Sequence, residues 1–167
     1  MNVLLIFGTR PEAIKLAPVI QELRTRPETK PVVCVTAQHR HMLDQALALF
    51  KIQPHYDLNI MQANQSLFDI TEQGLSNIET VLRNERPDLV LVQGDTTSAF
   101  VGALASFYQK IPVGHVEAGL RTYNKYSPFP EEMNRVLIDR LADFCFVPTE
   151  KARQNLLSKG WQKRGSL

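Results

Sequence analysis

The sequence predicts an α/β fold with a doubly wound, mostly parallel sheet and helices on both faces. Short runs rich in Val, Leu, Ile and Phe alternate with longer amphipathic segments along the whole chain. Runs that are apolar on both faces are typical of parallel strands covered on both sides. The strand–helix–strand order implies right-handed crossovers and an open sheet. In such sheets the ligand site lies outside the carboxyl ends of the strands.

Each predicted strand is a short apolar run, and each predicted helix is a longer segment with one apolar face. Pro11 suits the first turn of a helix, and Thr9 with Glu12 has the spacing of a capping box. The predicted strands are residues 3–7, 31–36, 88–93, 112–117 and 143–148, with a further short strand over 57–60. The predicted helices are residues 11–26, 39–51, 66–84, 97–110 and 130–142.

Length and composition limit the function classes. A chain of 167 residues fits one domain, and 44% hydrophobic with 22% charged residues is typical of a globular domain rather than a disordered one. Lys plus Arg number 19 and Asp plus Glu 17, and this near balance argues against a general binder of nucleic acid or membrane surfaces.

Cysteine placement and hydropathy favour a cytoplasmic protein. Cys34 and Cys145 lie far apart within apolar runs, which is typical of reduced core cysteines. No run approaches the roughly 18 apolar residues of a membrane span. The first residues lack the basic segment and the small-residue cleavage site of an export signal, and they are expected to form the first buried strand.

The loop after the first predicted strand is a candidate anion site. A turn at Gly8 leads into a helix, whose first backbone N–H groups can bind an anion. Arg10 at the mouth of such a site can bind a phosphate or a carboxylate. Lys15 faces either the same cleft or solvent, and an ordinary capped helix start is the alternative for the whole loop.

Two further strands end in carboxylates. Asp95 directly follows a buried strand, either as a site residue or as the N-cap of the next helix. Glu117 ends the following predicted strand, on the same face as His115 by strand alternation. An unpaired buried carboxylate is unfavourable. Glu117 is therefore either functional or paired with Arg121.

A third acidic segment begins a helix, where Glu131 and Glu132 follow Pro130 and suit the positive end of the helix dipole. If Asp95, Glu117 and Glu131 converge, neighbouring like charges separate their pKa values and suit them to acid–base catalysis. The sequence has no zinc-type spacing of Cys and His and no nucleophile-elbow motif, so no metal is expected.

Five segments together carry a resemblance to a known family. In chain order they are FGTRPEAIK (7–15), TAQHR (36–40), GDTT (94–97), GHVEAGLR (114–121) and PEEMNR (130–135). With these motifs in register over residues 1–160, the sequence closely resembles the non-hydrolysing bacterial UDP-N-acetylglucosamine 2-epimerases.

The resemblance implies an activity and an architecture. The family interconverts UDP-N-acetylglucosamine and UDP-N-acetylmannosamine for surface polysaccharides, by eliminating UDP to give 2-acetamidoglucal and adding it back with the opposite configuration at C2. It needs neither a metal nor a redox cofactor. The implied fold is of the glycosyltransferase-B type, with two Rossmann-like domains around the substrate, usually in a homodimer.

The same resemblance assigns candidate residues by motif match. They are Asp95, Glu117 and Glu131 as catalytic carboxylates; Arg10, Lys15, His115 and Arg135 as substrate-binding residues; and Gln38 and His39 as part of a regulatory site for a second UDP-N-acetylglucosamine.

The chain is expected to be one of the two domains. Residues 1–160 would form the amino-terminal Rossmann-like domain and residues 161–167 a polar, basic tail, with the UDP-binding second domain absent. Without that opposing wall we expect no epimerase activity from the chain alone. The alternatives are a stand-alone nucleotide-sugar-binding or interaction module, and a glycosyltransferase-B subunit that a partner chain completes.

Overall fold

The computed structural model describes residues 1–37, 40–60 and 65–158, and within them six strands alternate with six helices. The predicted α/β class is confirmed. In chain order the elements are β1 (Asn2–Phe7), α1 (Arg10–Thr25), β2 (Lys30–Val35), α2 (Arg40–Leu49), β3 (Tyr56–Asp57), α3 (Leu67–Glu85), β4 (Leu89–Gln93), α4 (Thr97–Tyr108), β5 (Val113–Val116), α5 (Glu131–Leu141), β6 (Phe144–Phe146) and α6 (Glu150–Ser158).

The sheet has the order β3-β2-β1-β4-β5-β6, and every neighbouring pair is parallel. The chain moves outward from β1 to β3, returns to place β4 beside β1, and then moves outward on the other side. The strand order therefore reverses between β1 and β4. Sheets of this kind bind ligands in the crevice at the carboxyl ends of the strands on either side of such a reversal.

Alternation along β1 sends its side chains into two separate cores. Val3, Leu5 and Phe7 pack on one face against buried residues of α1 and α2. Leu4 and Ile6 pack on the other face against buried residues of α3, α4 and α5. All five side chains are fully buried. This burial on both faces explains why residues 3–7 of the strand are all apolar rather than apolar at every second position.

Two elements differ from the predicted ones. The short strand expected over residues 57–60 is Tyr56–Asp57, paired with β2. Helix α6 lies where the sequence predicts no helix; Ala152 and Leu156, one turn apart, are its buried residues. At its start the Thr149 hydroxyl accepts the N–H of Ala152 at 3.1 Å. None of the described helices is long and apolar enough to cross a membrane.

Candidate active site

A cavity of about 520 Å³ lies in the crevice, where the loops after β1, β4 and β5 meet the start of α5. Five residues predicted from the sequence line it: Arg10, Lys15, Asp95, Glu117 and Glu131. The three candidate carboxylates and two cations thus share one site, because the carboxyl ends of parallel strands lie at one edge of the sheet. Their catalytic and binding roles stay predictions.

Asp95 follows Gly94, which has a φ of +72°, at the end of β4. Its Oδ2 atom lies 2.6 Å from Nη2 of Arg135, and its side chain is 27% exposed. The neighbouring Thr96 is the N-cap of α4, since its hydroxyl accepts the N–H of Ala99 at 3.0 Å. Asp95 is therefore not the helix cap that was its alternative role.

The charges around Asp95 bring the three carboxylates into one electrostatic environment. Burial raises the pKa of Asp95, the guanidinium of Arg135 opposes this shift, and the negative charges of Glu131 and Glu117 add to it. The carboxylates are thus close enough for their charges to interact. A carboxyl group that holds its proton more tightly than usual is suited to accept and return a proton.

Glu117 directly follows β5 with a φ of +69°, in the left-handed region that favours glycine. Its Oε2 atom accepts hydrogen bonds from Nζ of Lys15 at 2.5 Å and from Nε2 of Gln93 at 2.6 Å. Arg121, its alternative partner in the sequence, pairs with Asp139 at 2.6 Å instead. A non-glycine residue in this region is strained, and such strain is concentrated at functional sites.

The two consecutive acids at the start of α5 have different surroundings. Glu131 lines the cavity. Glu132 is buried, and its carboxylate accepts the backbone N–H groups of Thr122 and Tyr123, each at 3.0 Å. Its Oε2 atom also lies 3.4 Å from Nη1 of Arg135. Glu132 therefore holds the loop between β5 and α5, while Glu131 is available to a ligand.

His115 and Arg135 are not among the residues that line the cavity, and their expected roles in substrate binding stay predictions. His115 is fully buried, with Nδ1 2.6 Å from Oδ1 of Asp139 and Nε2 2.7 Å from the carbonyl oxygen of Gly94. The guanidinium of Arg135 is bound by Asp95 and Glu132. Both residues contact neighbours that do line the cavity: His115 contacts Gly94, and Arg135 contacts Asp95.

From the sequence, Glu12 has only a capping role, yet it is a buried part of the cavity wall. Its Oε2 atom accepts the N–H of Gly8 at 2.9 Å, and the N–H and hydroxyl of Thr9 at 2.7 Å each. The backbone N–H groups of Gly8 and Thr9, in the turn that leads into α1, are therefore already bound. Burial raises the pKa of Glu12, and hydrogen bonds from Thr96, Gly8 and Thr9 oppose that shift.

Two expectations fall on residues outside the described part of the chain, and a third concerns a metal site. Gln38 and His39, expected in a regulatory site, lie outside the described residues, as does the expected tail 161–167. Within residues 1–37, 40–60 and 65–158, no group of three or more His, Cys, Asp or Glu side chains is arranged to hold a metal ion.

Comparison with known proteins identifies the family to which these residues belong. A family model described as UDP-N-acetylglucosamine 2-epimerase matches residues 21–165, which is most of the chain. This chain belongs to the UDP-N-acetylglucosamine 2-epimerase family. The resemblance carried by the five sequence motifs is confirmed.

The similar epimerases are much longer than this chain. The UDP-N-acetylglucosamine 2-epimerase of Neisseria meningitidis serogroup A is 60% identical over 159 residues, which cover 95% of this chain and 43% of that protein. The chain therefore spans less than half the length of this curated relative.

Solved structures agree with the fold described above. The crystal structure of the Neisseria meningitidis epimerase bound to UDP-GlcNAc has a TM-score of 0.95 at 58% identity, covering 98% of this chain and 44% of that chain. Acinetobacter baumannii MurG, a glycosyltransferase-B protein, has a TM-score of 0.64 at 15% identity, covering 90% of this chain and 44% of that chain. The likeness to MurG concerns the fold alone, and it supports the expected Rossmann-like half of a glycosyltransferase-B type fold.

Proposed function

We propose that this chain is the amino-terminal half of an enzyme that converts UDP-N-acetylglucosamine to UDP-N-acetylmannosamine. The observation that carries the proposal is the convergence of Asp95, Glu117 and Glu131 with Arg10 and Lys15 in one cavity. Family membership supports the choice of substrate, since the similar Neisseria meningitidis epimerase was crystallised with UDP-GlcNAc bound.

The chemistry explains why several carboxylates are needed. The hydrogen on C2 of the sugar is not strongly acidic, so its removal is coupled to the departure of UDP. A carboxylate takes the proton, the C–H electron pair forms the C1=C2 double bond, and the C1–O pair leaves with UDP. In the return step UDP adds to C1 while a proton is delivered to the opposite face of C2. Two faces require acid–base groups on both sides of the ring.

Negative charge develops on the departing diphosphate, and nearby cations stabilise it. Arg10 is exposed on the cavity wall, which supports a role for its guanidinium in binding the diphosphate. The ammonium of Lys15 is bound to Glu117 at 2.5 Å. Lys15 would therefore position the Glu117 carboxylate as well as contribute positive charge to the cavity.

In this proposal residues 1–160 form the first domain, residues 161–167 a tail, and the length present only in the relatives forms the opposite, UDP-binding wall. Exposed apolar side chains beside the cavity support the proposal that a further part of the enzyme covers it. Met42 and Leu67 line the cavity and are 44% and 39% exposed, and the adjacent Phe68 is 86% exposed. A stand-alone module would not be expected to expose them together. The whole enzyme would be a cytoplasmic homodimer that needs no metal or redox cofactor and supplies surface polysaccharides.

The test is a chimera in which this chain is joined to the part of the Neisseria meningitidis epimerase that it does not cover. We expect the chimera to form UDP-N-acetylmannosamine, followed by NMR, and the chain alone to form none. Glu117→Gln in the chimera should lower the rate by about 10²–10⁴-fold. Glu79→Gln is the matched control, because Glu79 forms only an exposed ion pair with Arg83 on α3.

The outcomes separate the candidate functions. A chimera whose rate is unchanged by both Asp95→Asn and Glu117→Gln would overturn the assignment of these carboxylates. Turnover by the chain alone would overturn the need for a second half. Isothermal titration of the chain with UDP-N-acetylglucosamine, and separately with UDP, completes the test. Clear binding without turnover would favour the stand-alone binding module.

A further inference from the structure

We propose that the side chain of Glu12 fills the anion-binding position of the turn before α1, so that phosphate groups are held by side chains of the cavity and not by the N–H groups of Gly8 and Thr9. In doubly wound sheets the first helix, beside the reversal of strand order, binds phosphate through its free N–H groups. The inference concerns any phosphate-bearing ligand, so it stands or falls separately from the epimerase proposal.

The contacts of Glu12 are those that a phosphate oxygen would make. One carboxylate oxygen accepts three donors, the N–H of Gly8 at 2.9 Å and the N–H and hydroxyl of Thr9 at 2.7 Å. Glu12 is 2% exposed, so a ligand can reach these donors only if the side chain leaves. Because Glu12 lies in the first turn of α1, the anion at the helix start is part of the helix itself.

The turn is also closed on its other side. A Cβ atom at Gly8 would lie 2.1 Å from Oγ1 of Thr36 and 2.7 Å from Oγ of Ser98. These two hydroxyl groups are buried and hydrogen-bonded to each other at 2.7 Å. Protein atoms therefore fill this side of the turn, and there is no space for a side chain at position 8.

The second oxygen of Glu12 connects two loops of the site. It accepts the hydroxyl of Thr96 at 2.7 Å, and Thr96 is the neighbour of Asp95 in the loop after β4. The first oxygen is bound to Gly8 and Thr9 in the loop after β1, directly before Arg10 at the start of α1. Glu12 is thus a positioning residue as well, because it connects the loop before Arg10 with the loop that carries Asp95.

The experiment follows backbone amide resonances of the ¹⁵N-labelled chain during titration with pyrophosphate. In the wild type the Gly8 and Thr9 amides should not move. In Glu12→Ala they should move, with an affinity for pyrophosphate at least about tenfold tighter, the change expected from one freed charge-assisted hydrogen bond. Glu12→Gln keeps the side-chain volume and an acceptor oxygen, and it should stay closed like the wild type.

Rescue distinguishes a filled anion site from a general structural role. Formate, which replaces the missing carboxylate, should raise the unfolding temperature of Glu12→Ala and return its Thr96 amide resonance toward the wild-type position. It should do neither in the wild type nor in Glu12→Gln. Pyrophosphate-dependent movement of Gly8 and Thr9 in the wild type or in Glu12→Gln would overturn the proposal. So would a folded Glu12→Ala variant that gains no anion binding, or a Glu12→Ala variant that is unfolded and stays unfolded when formate is added.

Discussion

The left-handed backbone at Glu117 predicts that glycine is more stable than alanine at this position. Both Glu117→Ala and Glu117→Gly remove the carboxylate and its bonds to Lys15 and Gln93. The difference between the two variants therefore isolates the backbone, whose φ is +69°. Most surface positions show the reverse order, because glycine in a helix or strand is destabilising.

The magnitude follows from two opposing contributions. A non-glycine residue in the left-handed region costs about 1–2 kcal/mol, and the greater freedom of glycine in the unfolded chain offsets about 0.5–1 kcal/mol of that gain. Glu117→Gly should therefore exceed Glu117→Ala in free energy of unfolding by about 0.75 kcal/mol, the difference between the midpoints of the two ranges. For a domain of this size that is a difference of roughly 1–4 °C in unfolding temperature.

The assay is urea unfolding of the chain followed by circular dichroism, with equal slopes required for the two variants. Glu22 in α1 gives the matched control, since its side chain is 61% exposed and its ion pair is with Arg26 one turn away. There glycine should be less stable than alanine by about 1 kcal/mol. If glycine is less stable than alanine by a similar amount at both positions, the backbone of Glu117 is not strained and the reasoning fails.

Three further predictions concern buried groups. Burial raises the pKa of Glu12 above its ordinary 4.5. The free energy of unfolding of the wild type, measured from urea midpoints, should therefore fall relative to that of Glu12→Gln as pH rises from 4.5 through the folded-state pKa. A difference between the two proteins that does not change with pH contradicts this. Burial raises the pKa of Cys34 and Cys145 to about 12. At about pH 8 neither thiol should therefore react with a disulfide reagent until urea unfolds the chain. Rapid labelling of the folded chain contradicts this. Gly119→Ala places a Cβ atom 2.3 Å from the backbone oxygen of Ala152 in α6. This substitution should lower the free energy of unfolding by about 2–4 kcal/mol. A loss below about 1 kcal/mol would mean that α6 shifts to make room for the methyl group.

The fold could be predicted because its physical cause is local in sequence. A strand buried on both faces is apolar at consecutive positions, as residues 3–7 of β1 and residues 89–92 of β4 are. The rule that ligands bind at the carboxyl ends of parallel strands then placed Arg10, Asp95 and Glu117 at one edge. Helix α6 was not predicted because only Ala152 and Leu156 are buried in it, too few apolar positions to form a periodic pattern.

The parts of the site that the sequence could not predict depend on contacts between distant segments. The capping-box spacing of Glu12 was visible, but its bond to Thr96 joins residues 84 positions apart. Strand alternation placed His115 beside Glu117, but it could not show that Asp139 of α5 binds the imidazole 24 positions away. Which of two consecutive acids faces the cavity is decided by the path of the loop before α5, and periodicity carries no information about that path.

Under the proposed function, the charge of the cavity explains why this chain alone should bind a nucleotide sugar weakly. Three carboxylates and the buried Glu12 line it, against two cations. Within the described part of the chain, Lys15 is already paired with Glu117, which leaves the guanidinium of Arg10 to face a diphosphate that carries at least two negative charges. The backbone N–H groups of Gly8 and Thr9 are bound by Glu12. An acidic wall of this kind suits proton transfer at a sugar carbon, and in the proposed enzyme further cations for UDP would come from the opposite wall.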